Sequence, residues 1–106
     1  MTSQKWLDES VVSRSVWYHA LLVIVPEKLR YPDRAVLYIK GEDNGWLPED
    51  WTEHETVLLM ELVRNLGCYG AVLYQVPNSP ITFADEGFAE ERREDAIIAK
   101  TWQLYL

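Results

Sequence analysis

The stretch Tyr69–Phe83, YGAVLYQVPNSPITF, constrains the fold more than any other part of the chain. Tyr69, Val72, Leu73, Tyr74 and Val76 form a β-rich run with apolar residues on both faces, the pattern of a strand buried in a parallel or mixed sheet under helices. Pro77 and Pro80 then remove two backbone donors and fix two φ angles, so the ladder cannot continue past Val76. In open α/β sheets, ligands sit where the chain leaves the carboxyl end of a strand. The exit Val76-Pro77-Asn78-Ser79-Pro80 is therefore the first place to look for function, with Asn78 and Ser79 as its polar candidates.

What precedes this strand predicts how the sheet is built. Met1–Leu7 reads as an edge strand ending near Trp6, and Val16–Pro26 (VWYHALLVIVP) as one long strand stopped by Pro26. Glu27–Arg34 has the turn chemistry of Tyr31-Pro32-Asp33, and Ala35–Ile39 reads as a second buried strand. A loop, Lys40–Asp50, follows. Thr52-x-x-Glu55 matches a capping box, and apolar residues run from Val57 to Leu66 at helical spacing, with Gly67 as the residue that ends the helix. Ala84–Arg93 is an acidic solvated segment. Glu94–Leu106 is a second helix, with Glu94 and Asp95 in its first turn and Ile97, Ile98, Thr101, Trp102 and Tyr105 as its buried stripe. Ala35–Ile39, the first helix and Tyr69–Val76 form a β-α-β unit, which predicts two parallel strands joined by a right-handed crossover. The link between Val16–Val25 and Ala35–Ile39 is short enough for an antiparallel pair. The fold class is α/β: one mixed sheet of about four strands with two helices.

Two helices over four strands barely cover both faces of such a sheet, and no strand follows the last helix. The chain therefore reads as a single partial domain, residues 1–106, that needs either the rest of the domain or a protein partner. Its 17 acidic residues against 10 basic ones leave no basic stripe for nucleic acid and oppose binding to an anionic membrane. No apolar run reaches the roughly 18 residues of a membrane span. Met1–Asp8 has no apolar core of the signal-peptide kind, which fits a cytosolic chain and equally a piece of a larger secreted protein.

Most candidate chemistry dissolves on inspection. His54-Glu55 would need a second histidine at position 58, which is Leu58. Two histidines and one cysteine cannot build a His/Cys zinc site at workable spacing, so neither metal nor cofactor is implied. Gly67-Cys68-Tyr69-Gly70 has the wrong spacing for a nucleophile elbow and leads from helix into strand. Cys68 reads as a buried small hydrophobe. No other Ser, Cys or Thr lies in such a turn, so no catalytic residue is assigned. Gly41–Gly45 does follow a strand and precede a helix, where a loop can aim backbone N–H groups at an oxyanion. It lacks both nucleotide-binding fingerprints, and Glu42 and Asp43 would repel a phosphate.

Several segments taken together resemble the PhoPQ-activated pathogenicity-related protein family. They are Thr2–Trp6, Val16–His19, Leu37–Asn44, Gln75-Val76-Pro77-Asn78-x-Pro80-x-x-Phe83-Ala84-Asp85, and Arg93-Glu94-Asp95-Ala96-Ile97-Ile98-Ala99-x-Thr101-Trp102. The resemblance implies the front half of an α/β-hydrolase-like fold, in a family with secreted or envelope members. In that frame Ala35–Ile39 precedes an oxyanion loop with Gly41, Glu42 and Asn44 as its candidates, and Tyr69–Val76 is the next strand. Nucleophile, acid and His would lie beyond residue 106. The family's loop is glycine-rich and ends in Asn; this chain keeps Gly41 and Asn44 but carries Lys40 and Glu42 where glycines are expected. The resulting expectation is an N-terminal portion without catalytic competence of its own. The other readings are an interaction subunit packed on a partner and a fragment of a secreted hydrolase.

Overall fold

In the computed structural model, residues 1–47, 49 and 52–106 are described. They pack as two units, one of residues 20–40 and 47–74, the other of residues 1–19, 41–46 and 75–106.

The first unit is built on the strand that follows Gly67. β3 (Leu21–Ile24), β4 (Tyr31–Ile39), α1 (His54–Leu66) and β5 (Cys68–Leu73) form a three-stranded sheet in the order β3-β5-β4 with one helix. β5 lies in the middle, as its apolar run predicts. It is parallel to β4, with Ala35 opposite Tyr69 and Ile39 opposite Leu73. It is antiparallel to β3, with Leu21 opposite Leu73 and Ile24 opposite Gly70. The β-α-β pairing is thus as the sequence predicts, but the short link does not make neighbours of β3 and β4. β5 enters between them and satisfies the ladder groups of both.

Gly70 decides where α1 lies. A Cβ there would overlap Val63 Cγ2 and come within 3.5 Å of Ile24 Cβ, so the helix reaches the sheet only because this residue has no side chain. Leu59, Val63 and Thr56 are the buried residues of α1. Thr56 Oγ1 and Tyr74 Oη, both buried, lie 3.0 Å apart and satisfy each other. Gly67 ends the helix at φ +71°, its N–H donating to Val63 O at 2.8 Å. That left-handed residue returns the chain directly into β5.

Four local expectations are corrected in this unit. The run Val16–Pro26 is not one strand: it breaks at His19-Ala20 into β2 (Val16–Tyr18) and β3. The backbone partners diverge at that point, His19 N–H donating to Met1 O and Ala20 O accepting from Tyr74 N–H. Tyr31-Pro32-Asp33 is not a turn but the start of β4, where an irregularity between Tyr31 and Ala35 accommodates the proline on an edge strand. Ala35–Ile39 is not buried, because β4 is the sheet edge and only Val36 among the five is partly covered. The capping box is not formed as read: α1 starts at His54 with Glu53 at the cap position and no capping side-chain bond. The Glu53 carboxylate instead takes the Lys40 ammonium at 2.8 Å.

Pleating sends alternate side chains to opposite faces. Leu22, Ile24, Val36, Tyr38, Gly70 and Val72 share the α1 face. Leu21, Val23, Leu37 and Ile39 take the other and are 43, 58, 54 and 55% exposed.

The second unit has β1 (Thr2–Lys5) paired antiparallel with β2, so the strands among the described residues number five in two sheets rather than about four in one. Its core is Val12, Trp17, Ile81, Phe83 and Ile97, with Trp6 half-buried against it. Trp6 lies 5.3 Å from Trp17 and edge-on to Phe83 at 6.2 Å, both favourable aromatic geometries. α2 (Glu94–Tyr105) forms where expected, with Glu94 and Asp95 in its first turn. Its buried residues are Ile97 and Lys100, not the five-residue stripe: Ile98 is exposed, and Trp102 and Tyr105 are 67 and 66% exposed.

Lys100 is buried because the acidic segment closes over its ammonium. Asp85 and Glu86 both accept from it, and it lies 5.7 Å from the centroid of the Phe83 ring. Glu86 also takes Arg92 in a two-pronged pair at 2.7 and 2.9 Å. The segment read as merely solvated therefore supplies the counter-charges for a buried lysine. Hydrogen bonds from Arg92, reinforced by Lys100, hold the Glu86 carboxyl at about 2, well below the usual carboxylate range.

Two outcomes follow. Gly70→Ala destabilises the chain by about 1–3 kcal/mol through overpacking, and Val63→Ala in the same chain restores part of that loss. A double-mutant cycle in urea should return a coupling of about 0.5–3 kcal/mol, and additivity would show that the helix does not rest on Gly70. Because the folded Glu86 carboxyl titrates near 2 and an unfolded one near 4.5, its contribution is complete above about 4.5 and is lost as pH falls toward 2. Arg92→Gln should lower the urea midpoint at pH 7 and flatten its decline between pH 5 and 2 relative to the parent chain.

Candidate functional site

The loop after β4 and the exit after β5 meet in the second unit, and a backbone outlier marks the place. Gln75, directly after buried Tyr74, adopts φ +63°, a left-handed conformation that non-glycine residues enter at a cost of order 1–3 kcal/mol. Its buried side chain shows what that conformation achieves. Nε2 donates to Asp43 O at 3.2 Å and to Trp46 O at 3.0 Å, spanning the loop at two points. The following prolines, both preceded by cis peptide bonds, carry the chain past the same loop. Asn44 N–H donates to Ser79 O, and Asn44 Nδ2 donates to Pro80 O at 2.8 Å. Asp43 and Ser79 pair as an isolated parallel bridge.

The start of α2 closes the third side. The Arg93 guanidinium pairs with the Asp43 carboxylate. Glu94, at φ +40°, brings its carboxylate against Gly41, where an added Cβ would stand 2.6 Å from Glu94 Oε1. A side chain at 41 would have to displace the end of the flexible Glu94 side chain. Glu42 and Asp43 follow Gly41 directly, with Lys40 before it and Arg93 against Asp43.

Of the residues that the sequence singles out, Gly41, Asn44 and Ser79 come together around this loop, and Glu42 lies half-buried between Gly41 and Asp43. Asn78 faces elsewhere. Its Oδ1 accepts from Tyr18 N–H at 2.9 Å, and its Nδ2 donates to Tyr18 O at 2.8 Å and Gln75 O at 2.9 Å. Three of the amide's four hydrogen-bonding positions are thereby used, two on Tyr18 as a ladder would use them and one on Gln75 O. Gln75, Arg93 and Glu94 are not among those candidates. Their signal was a polar residue ending an apolar strand, and two charges preceding a helical stripe.

A second pair also escapes sequence reading, because it joins residues 16 apart across β1 and β2. Ser3 Oγ lies 2.8 Å from His19 Nε2, within reach for a hydroxyl and a base. It sits where Met1 and His19 also exchange backbone hydrogen bonds, which ties the ends of the two strands. Cys68 is buried with a free thiol. Among the described residues, no group of three or more His, Cys, Asp or Glu side chains is arranged to hold a metal ion, and no helix is long and apolar enough to cross a membrane.

The family model for the PhoPQ-activated pathogenicity-related protein matches residues 1–106, the whole chain. Autocrine proliferation repressor protein A of Dictyostelium discoideum is 29% identical over 106 residues, which is 100% of this chain and 20% of that protein. The chain thus spans about a fifth of the length of this relative. No solved structure matches. On the strength of the match over its whole length, the chain belongs to the PhoPQ-activated pathogenicity-related protein family.

Proposed function

We propose that residues 1–106 are the non-catalytic front portion of an α/β-hydrolase-like domain, completed by further chain of a longer protein that carries the nucleophile and its base. The observation that supports this most is the sheet face of Leu21, Val23, Leu37 and Ile39, four large apolar side chains on one side of a sheet whose other side is covered by α1. A sheet in an α/β domain buries both faces. Family membership and the greater length of the relative point the same way.

In this reading, Gly41, Glu42 and Asn44 belong to the loop on the oxyanion side, Ser79 to the strand exit that braces it, and Asn78 to the same exit, where it ties the chain to Tyr18. Gln75, Asn44 and Arg93 hold the loop, which is the preorganisation such a site requires. The loop supplies shape. Without a nucleophile and base, oxyanion donors alone leave only a small residual acceleration. A second reading, an interaction subunit whose partner is a separate protein, draws on the exposed Trp102 and Tyr105 of α2.

The 106-residue chain should hydrolyse p-nitrophenyl acetate no faster than buffer, and should enhance the fluorescence of an apolar dye. Val23→Lys with Leu37→Lys should reduce that dye signal while leaving circular dichroism unchanged. A version extended by the following part of its gene should lose the dye signal as a monomer, whereas loss only on adding a second protein favours the subunit reading. Saturable ester hydrolysis abolished by Ser3→Ala would overturn the non-catalytic assignment.

A further inference from the structure

The turn between β3 and β4 and the last two turns of α1 enclose a cleft of about 560 Å³, within the first unit. That volume falls in the range of small-molecule sites, roughly 300–1,000 Å³. Its apolar wall is Ile24 from β3, Pro26 after it and Met60 from α1, and its rim carries Lys28, Arg30 and Arg64. In a chain of net charge −7, this gathers three of the ten Lys and Arg residues, against one rim carboxylate, Glu27.

These cations are available. Lys28 and Arg30 make no ion pair among the described residues. Arg64 approaches Glu61 only at 3.9 Å, with both side chains well exposed, a pair worth little in water. The turn that carries Lys28 and Arg30 is fixed in place: Arg30 N–H and Tyr31 N–H both donate to Gly67 O, at 2.7 and 2.9 Å, and the Arg30 side chain packs on Gly67. Two of the three charges therefore stand on a turn that is already ordered, which lowers the entropy cost of using them.

We propose that this cleft binds an aliphatic carboxylate, the chain against Ile24, Pro26 and Met60 and the carboxylate taken by Arg30 with Lys28 and Arg64. This site is separate from the loop around Gly41 and independent of the reading given for it. A guanidinium fork matches a carboxylate at two points, and an apolar wall distinguishes an acyl anion from a bare inorganic one. The competing structural role is that the cations serve only the carbonyl end of α1, where positive charge is favourable.

Titration of the full chain with sodium octanoate, followed by backbone amide shifts, tests the assignment. Saturable shifts should appear at residues 24–30 and 60–65 at millimolar concentration or below. 1-Octanol and inorganic phosphate should each bind at least tenfold more weakly. Arg30→Gln and Lys28→Gln, made separately and confirmed as folded by near-ultraviolet circular dichroism, should each weaken octanoate about tenfold. Equal binding of octanol or of phosphate overturns the proposal, as does an absence of saturable shifts in those segments or an affinity unmoved by both substitutions.

Discussion

The contact between Gly70 and Val63 is the constraint on which the first unit depends. β5 pairs with β4 on one side and β3 on the other, so its backbone groups are committed to the ladder. The remaining freedom is how closely a helix can approach, and that is set by the smallest side chain on the strand. At Gly70 the helix comes near enough for Val63 to be fully buried. The approach lets one short helix close one face of a three-stranded sheet. The opposite face, where Ala71 and Leu73 are flanked by Leu21, Val23, Leu37 and Ile39, has no comparable partner among the described residues of the unit.

The second unit solves a different problem. Its core of Val12, Trp17, Ile81, Phe83 and Ile97 is small and relies on aromatic area. Polar groups then replace missing secondary structure. The Asn78 amide does for β2 what a neighbouring strand would do, and Gln75 does the same for the loop after β4. Lys100 shows the same economy in charge. Its ammonium lies over the Phe83 ring and is met by Asp85 and Glu86, so a cation occupies a position that helical periodicity alone would give to an apolar residue. The loop around Gly41 is held by the Gln75 side chain together with the backbone bridge of Asp43 and Ser79.

The contacts around the Gly41 loop differ in how far along the sequence they reach. Gly41, Asn44 and Ser79 were recognisable because a strand exit and a loop after a strand are local patterns. Asn78 was recognisable as important, but its bonds to residue 18 lie 60 positions away in sequence, and no spacing rule reaches that far. Gln75, Arg93 and Glu94 acquire meaning only through Asp43, Trp46 and Gly41, each about 30 to 50 positions distant. The Ser3–His19 pair is of the same kind.

The sequence by itself determined the α/β class, the two helices, the glycine that ends the first, the parallel pairing of β4 with β5 and the family. All of these follow from periodicity, backbone preference or contiguous motifs, which act over a few residues. Only the tertiary structure decided that Val16–Pro26 divides between two sheets, that Ala35–Ile39 is an exposed edge and that Lys100 rather than Trp102 is buried. Each depends on which distant group satisfies a donor, an acceptor or a charge. An apolar run states that a surface must be covered, but the residue that covers it is chosen by geometry assembled from the whole unit.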